Sequence, residues 1–199
     1  MNKEKNTNVI HLIFFLSFFL SFFLSLNADT IDDKLKQANI LYTQYLLKGC
    51  NECIDNAIEI YNSIIADKSN NNSEIEKVKI SLARAYYIKK EYEKSIKLFE
   101  EILINNNLTI EEQEKILYQL GYIKYLLGKY EESKEIFKKL KNDFVYSGEN
   151  SKVPYSIYMW GRCYEMEGNT EAAKAKYLEV INNYPEHGAA QYAEQGLRK

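Results

Sequence analysis

Residues 160–185 constrain the fold of this chain more than any other stretch of its sequence. Gly168-Asn169 is a turn signal that divides the stretch into two segments. Small and apolar residues recur at the spacing of one helical face in each segment: Trp160, Gly161 and Tyr164 in the first, and Ala173, Tyr177 and Val180 in the second. Gly161 and Ala173 stand where only a minimal side chain lets two backbones approach. With Pro185 ending the second segment, the stretch predicts a hairpin of two closely packed helices.

The same residues resemble the tetratricopeptide repeat, or TPR. The family pattern is filled in register by eight residues: Trp160, Gly161, Tyr164, Gly168, Ala173, Tyr177, Val180 and Pro185. The resemblance implies an all-α, TPR-like solenoid in which neighbouring hairpins stack, because one repeat cannot bury its apolar face alone. It also implies a scaffold that binds a protein or peptide, and it does not identify that partner.

Related patterns along the chain predict about four helical hairpins and a C-terminal capping helix within one TPR-like domain, residues 29–199. The expected bounds are 31–67, 74–105, 110–142 and 154–185 for the hairpins and 187–198 for the capping helix. The first hairpin is divergent, and we expect an enlarged turn over residues 49–53. Two pairs match the capping-box pattern at helix starts: Ser73 with Glu76, and Thr109 with Glu112.

The hairpins are spaced more widely than the common TPR period of about 34 residues. Exported bacterial TPR proteins of the cell envelope have such loosened repeats. Residues 74–199 are loosely similar to two of them, the Tol-Pal-associated periplasmic protein and the outer-membrane assembly lipoprotein, and the Asn183-Tyr184-Pro185-Glu186 ending is similar to theirs. This resemblance implies a place in the cell envelope.

The first 28 residues have the pattern of a secretory signal peptide. Lys3 and Lys5 precede an apolar run at residues 9–26, and Leu26-Asn27-Ala28 offers a cleavage site. The run is also long enough to span a bilayer, which takes roughly 17–25 residues. Cleavage would give a periplasmic protein, whereas an uncleaved segment would anchor the chain to the inner membrane through residues 9–26. In both cases we expect the rest of the chain to be exported.

The TPR resemblance also implies a binding groove, because the first helix of each repeat lines the concave face of the stack. The family's groove positions carry two arginines and six tyrosines: Arg84, Tyr87, Tyr118, Tyr122, Tyr125, Tyr155, Tyr158 and Arg162. Tyrosine offers a rigid contact area with a hydroxyl that can stay hydrated, and the two arginines could form paired hydrogen bonds to a carboxylate. The alternative is that these tyrosines pack against neighbouring helices or cover a solvated surface.

Cys50 and Cys53 form a C-x-x-C motif, which in an exported protein favours a local disulfide or two free thiols. Metal binding would need a second ligand pair, and a redox function would need a thioredoxin-like βαβ context. Cys163 is expected to be a small buried residue on the fourth hairpin. His187 has the pattern of an isolated surface histidine near a helix start.

Charge and motifs narrow the function classes. The formal net charge is −2 at pH 7 with both signs mixed, whereas nucleic-acid binding would favour a basic face. The sequence has no phosphate-binding loop, nucleophile elbow or metal-ligand pair, so we expect neither an enzyme nor a cofactor. The sequence predicts an exported scaffold that binds a protein or peptide partner through a tyrosine-lined concave face. The alternative is a structural or oligomerisation module that uses its convex face or its ends.

Overall fold

The computed structural model describes residues 30–67, 71–104 and 108–198. These residues form nine α-helices: α1 (Ile31–Lys48), α2 (Asn51–Ala66), α3 (Asn72–Ile88), α4 (Tyr92–Ile104), α5 (Ile110–Leu126), α6 (Tyr130–Asp143), α7 (Val153–Met166), α8 (Thr170–Asn183) and α9 (Gly188–Leu197). No strand occurs in the described part of the chain. The prediction of an all-α fold with a helix after the last hairpin is confirmed.

The chain divides into two units, and the first of them ends at Ala66. Its described part is the hairpin of α1 and α2. The core of this hairpin consists of small and apolar side chains together with one tyrosine: Ala38, Ile54, Ala57, Tyr61 and Ile64. The Tyr61 hydroxyl donates a hydrogen bond to Asn39 Oδ1 at 2.7 Å. Burial, and next the nearby Tyr42, raise the pKa of Tyr61 to about 12.

The prediction of an enlarged turn in the first hairpin is wrong. Only Gly49 and Cys50 separate α1 from α2, and Cys53 already lies within α2. Gly49 has a φ of 67° and donates its N–H to the Tyr45 carbonyl at 2.8 Å. A residue in the left-handed conformation directly after a helix ends that helix. The chain can therefore reverse direction without a longer loop.

The second unit, from Asp67 onward, contains the hairpins α3–α4, α5–α6 and α7–α8, with α9 packed on α8. Its helices cross closely where the sequence has glycine. A Cβ atom on Gly161 would lie 2.6 Å from Tyr177 Cε1, and one on Gly121 would lie 2.7 Å from Phe137 Cε1. The predicted close crossing of the last hairpin is therefore confirmed.

Serine strengthens the same crossing in the two preceding hairpins. Ser95 Oγ donates to the Ala83 carbonyl and Ser133 Oγ to the Gly121 carbonyl, each at 2.8 Å. Both serines are fully buried, so each hydroxyl would be costly without its partner. The hydrogen bond fixes the register of each hairpin.

One of the two predicted capping boxes is present at a helix start in the structure. At α5, Thr109 Oγ1 accepts from Glu112 N and the Glu112 carboxylate accepts from Thr109 N, as predicted. At α3, the cap is Asn71 rather than Ser73, and its Oδ1 accepts from Glu74 N at 2.9 Å. The prediction of a capping box at Ser73 is wrong because α3 begins one residue before it.

The described part of the chain contains no helix long and apolar enough to cross a membrane. The apolar run at residues 9–26, for which we predicted a signal peptide or an anchor, lies outside the described residues.

Candidate functional site

A cleft of about 430 Å³ opens in the second unit, between the first helices of its last two hairpins and α9. Six of its eight lining residues are tyrosines, and one methionine and one arginine complete it: Tyr118, Tyr122, Tyr125, Tyr155, Tyr158, Met159, Arg162 and Tyr192. We call this site the tyrosine cleft. Helix α5 contributes the first three tyrosines, α7 the next four residues, and α9 the last tyrosine.

The spacing of the tyrosines along each helix explains why they meet. On α5, residues 118, 122 and 125 share one face because they follow the i, i+4, i+7 pattern. Their rings follow one another at centroid distances of 6.4 Å and 6.2 Å. On the other side, Tyr192 lies 6.2 Å from Tyr155 and 5.9 Å from Tyr158. Such spacing suits tilted and offset aromatic pairs, so the rings support one another as walls.

The guanidinium of Arg162 is engaged by other side chains of the protein. Its Nη1 donates to the Tyr158 hydroxyl and its Nη2 to the Tyr125 hydroxyl, both at 3.2 Å. Its Nε lies 2.9 Å from Glu165 Oε2, and the two groups form an ion pair. The Nε–H does not point at this oxygen closely enough to make a hydrogen bond. The same carboxylate oxygen accepts from the Tyr177 hydroxyl at 2.7 Å. Glu165 therefore balances the one charge among the lining residues.

Burial changes the acidity of the hydroxyls in and below the cleft. Burial, and then the neighbouring Tyr122, raise the pKa of Tyr118. For Tyr125, burial raises the pKa although the cation of Arg162 opposes it. Burial, and then the hydrogen bond to Glu165, raise the pKa of Tyr177. Because every shift is upward, these hydroxyls keep their protons at neutral pH and can act as donors.

Glu114 ties the two helices that carry most of the cleft. It is a residue of α5 and only 5% exposed. Its Oε1 accepts from Ser151 Oγ at 2.7 Å, from Lys152 N at 2.7 Å and from Val153 N at 3.2 Å. The free N–H groups at the start of α7 thus find their acceptor on another hairpin. The carboxylate sets where α7, and with it Tyr155 and Tyr158, lies relative to α5.

The structure brings together six of the eight groove residues predicted from the sequence. Arg84 and Tyr87, both on α3, do not line the tyrosine cleft. The Tyr87 ring nevertheless lies 6.4 Å from that of Tyr122, so it continues the row of aromatic side chains. Arg84 Nε donates to Gln119 Oε1 at 3.4 Å.

Sequence reasoning missed Tyr192 and Met159 as lining residues. The groove positions of the repeat family lie on the first helix of each repeat, whereas Tyr192 lies on the helix after the last repeat. Met159 neighbours a predicted groove position on α7 and is itself buried. No local sequence signal places Tyr192 in the cleft, because its position depends on how α9 packs.

The cysteines and His187 do not line the cleft, although His187 lies 4.9 Å from the Tyr155 ring and Cys163 is buried in the same cluster as Met159. Cys50 and Cys53 are joined by a disulfide in the first unit. Cys163 is fully buried, and burial raises its thiol pKa to about 11. His187 is only 3% exposed: its Nδ1 accepts from Ala189 N at 3.1 Å, and its Nε2 lies 3.0 Å from the Glu149 carbonyl. The interpretation of His187 as a surface residue is therefore wrong, because it caps α9.

Among the described residues, no three His, Cys, Asp or Glu side chains lie close enough to hold a metal ion. The chemistry available in the tyrosine cleft is thus hydrogen bonding by hydroxyls and contact with aromatic faces. This is the chemistry of recognition.

Comparisons with known proteins agree on the fold. The family model of the CadC C-terminal domain matches residues 37–199. None of the curated proteins compared with the chain matches its sequence. Among solved structures, the chain is similar to the TPR-like repeats of a putative kinesin light chain from Podosopora anserina, with a TM-score of 0.63 and 16% identity over 81% of this chain and 82% of that one.

Two further solved structures share the fold. YrrB, a TPR protein with an unusual peptide-binding site, matches with a TM-score of 0.61 and 16% identity over 94% of this chain and 88% of its own. PilW, a widely conserved type IV pilus biogenesis factor, matches with a TM-score of 0.61 and 13% identity over 85% of this chain and 69% of its own. These similarities confirm the predicted all-α, TPR-like repeat fold.

Proposed function

Because the chain belongs to the CadC C-terminal domain family and has a TPR fold, we propose that it is a non-enzymatic scaffold that binds a protein or peptide. The tyrosine cleft is the proposed binding site, and it is lined by six of the groove residues predicted from the sequence: Tyr118, Tyr122, Tyr125, Tyr155, Tyr158 and Arg162. YrrB, which shares the fold, is described as having a peptide-binding site, so the fold is compatible with this function.

One observation carries the proposal: six tyrosine side chains converge on a single open cleft from three helices. Tyrosine is enriched at binding hot spots because a rigid ring gives a large contact area at a small loss of side-chain entropy. A row of tyrosines that served only as packing would bury its hydroxyls against protein acceptors. Here the six hydroxyls have no acceptor among the described residues, although two of them accept from Arg162.

The test is a cross-linking pull-down from native envelopes with the tagged full-length chain and two variants. Tyr122→Glu/Tyr158→Glu places two charges in the tyrosine cleft. Tyr146→Glu is the matched control, because Tyr146 is 41% exposed and lies outside the cleft. Circular dichroism of each variant checks that the helices are retained.

We expect the double variant to lose partners that the wild type and Tyr146→Glu both retain. The binding of each captured partner, as a purified protein, is then measured for the wild type and for the two variants. If the folded double variant retained every partner, the tyrosine cleft would not be the binding site.

A second candidate function is self-association through the first described helix. On α1, Ile40 is 59% exposed and Leu47 is 77% exposed, and both line an apolar surface cavity of about 490 Å³ together with Thr43. This observation favours the alternative of an oligomerisation module, with α1 as its contact surface. Ile40→Glu/Leu47→Glu should then lower the mass measured by analytical ultracentrifugation without changing the pull-down. A wild-type chain that is monomeric at every concentration would exclude this candidate.

Export to the periplasm is part of the same proposal, with anchoring by residues 9–26 as the alternative. The intact mass of the chain recovered from the envelope fraction decides between them. A mass that matches residues 29–199 indicates cleavage, and a full-length mass indicates an anchor. Recovery from the cytoplasm alone would contradict export.

A further inference from the structure

We propose that the tyrosine cleft takes a proline-rich segment in the polyproline II conformation, an inference that rests on the function proposed above. The observation behind it is the kind of hydrogen-bonding group that is free in the cleft. Among the described residues, the six tyrosine hydroxyls that line it donate to no protein acceptor, and its one cation is already engaged.

The best-placed donors are the hydroxyls of Tyr125 and Tyr158. Both oxygens accept from the guanidinium of Arg162 at 3.2 Å, so the proton of each hydroxyl must point away from it. A hydroxyl that accepts from a cation is polarised and becomes a stronger donor. Arg162 therefore acts as a positioning residue that holds two O–H donors of the cleft.

The same network argues against an acidic occupant. Glu165 lies 2.9 Å from Arg162 Nε and balances its charge. A peptide carboxylate would have to compete with this carboxylate and with two tyrosines for the guanidinium. The cleft thus lacks the uncompensated cation that recognition of acidic motifs requires.

The cleft is also poor in strong acceptors for the N–H groups of an ordinary peptide. Its lining residues carry no free carboxylate or side-chain carbonyl, and helical backbone carbonyls are already bonded within the helices. The acceptors that remain are phenol oxygens, and two of these already accept from Arg162. A peptide N–H buried there without a good acceptor weakens binding. Proline has no backbone N–H, and its carbonyl can accept from a hydroxyl, so a prolyl segment matches what the cleft offers.

Shape supports the same occupant. A polyproline II helix is extended, has three residues per turn and loses little entropy on binding. Aromatic-lined grooves recognise it by packing rings against prolines while a few donors bind its carbonyls. In the tyrosine cleft, Tyr118, Tyr155 and Tyr192 supply ring faces, and Tyr125 and Tyr158 supply the donors.

The experiment measures binding of labelled synthetic peptides to the full-length chain by fluorescence anisotropy. One peptide is an uncharged nonamer with six prolines, the second replaces every proline with alanine, and the third is acidic. Each is titrated against the wild type, Tyr125→Phe/Tyr158→Phe and Tyr146→Phe. The double variant removes only two hydroxyls, and Tyr146→Phe removes one outside the cleft.

We expect the proline-rich peptide to bind at least about tenfold more tightly than the alanine peptide. We expect the double variant to weaken this binding about thirtyfold, because it loses two hydrogen bonds of about 1 kcal/mol each. We expect Tyr146→Phe to leave the binding unchanged. If the alanine or the acidic peptide bound as tightly and lost affinity in the double variant, the cleft would bind peptides of another class and this inference would be wrong. If no peptide bound and Tyr122→Glu/Tyr158→Glu also lost no partner, the proposed function itself would fail.

Discussion

Replacing Glu114 with alanine tests the contact that holds the tyrosine cleft together. Its Oε1 accepts three hydrogen bonds from the segment that begins α7, and both Ser151 and Val153 are almost fully buried. A hydrogen bond to a charged group contributes about 1.5–3 kcal/mol, and a buried donor left unpaired costs about 1–3 kcal/mol. Ser151 Oγ can still pair with Val153 N at 3.3 Å, and Lys152 N can turn to water. We therefore expect a loss of about 3 kcal/mol rather than the sum of three bonds.

The matched control is Glu111→Ala on the same helix. Glu111 forms an exposed ion pair with Lys115, and such pairs contribute about 0–1 kcal/mol. Unfolding in urea is followed by the fluorescence of Trp160, the single tryptophan of the chain, which lies on α7 itself. At equal m-values, the difference in urea midpoint multiplied by m gives the difference in free energy of unfolding.

Two results would decide the role of Glu114. A loss confined to Glu114→Ala, with weaker capture of partners at a temperature where the chain is still folded, would show that this carboxylate positions α7. If Glu114→Ala cost no more than Glu111→Ala, the three hydrogen bonds would contribute nothing net, and the account of how the cleft is held would be refuted.

Three further predictions follow from single contacts. Gly161→Ala should destabilise the chain by about 1–3 kcal/mol in urea unfolding, because the new Cβ would lie 2.6 Å from Tyr177 Cε1; a neutral result would mean that the ring can move aside. Cys163 should not react with a thiol reagent at pH 8 until the chain unfolds, because it is buried and its thiol pKa is raised to about 11; rapid reaction in the native state would contradict this. Hydrogen bonds from the Thr109 backbone and hydroxyl hold the pKa of Glu112 below its usual value. The contribution of Glu112 to the stability of the fold is therefore present above about pH 4.3, and it is lost as the pH falls through the lowered pKa. Glu112→Gln should therefore flatten the acid side of a plot of melting temperature against pH, and an unchanged slope would refute this.

The repeats could be predicted from the sequence because their determinants are local. Gly161, Ala173 and Tyr177 are within one hairpin, and the spacing of small and aromatic residues fixes which faces meet. Helix starts were harder to predict, since Asn71 and Ser73 are both competent caps. The structure uses Asn71, and the local pattern does not distinguish the two.

The cleft was predictable only in part for a similar reason. The tyrosines on α5 and α7 follow from helical spacing and the family's groove positions. The placement of Tyr192 depends on the packing of α9, which no local pattern encodes. Glu165 and Arg162 are an i, i+3 pair on one helix, so their contact is local, whereas the hydrogen bond from Tyr177 to Glu165 comes from α8. The balanced charge of Arg162 changes the ligand that the cleft can take.

The distribution of charge in the second unit leads to the same conclusion. Away from the cleft, some of its lysines pair with carboxylates of a neighbouring segment: Lys134 contacts Glu167, and Lys124 contacts Glu132. Charges engaged in this way fix hairpins to one another and are not available to attract a ligand over a distance. Because Arg162 is balanced as well, recognition at the tyrosine cleft depends on short-range contact with ring faces and on hydroxyl donors. A partner must therefore fit the cleft closely and bring its own acceptors, which a proline-rich segment does without burying an unpaired N–H.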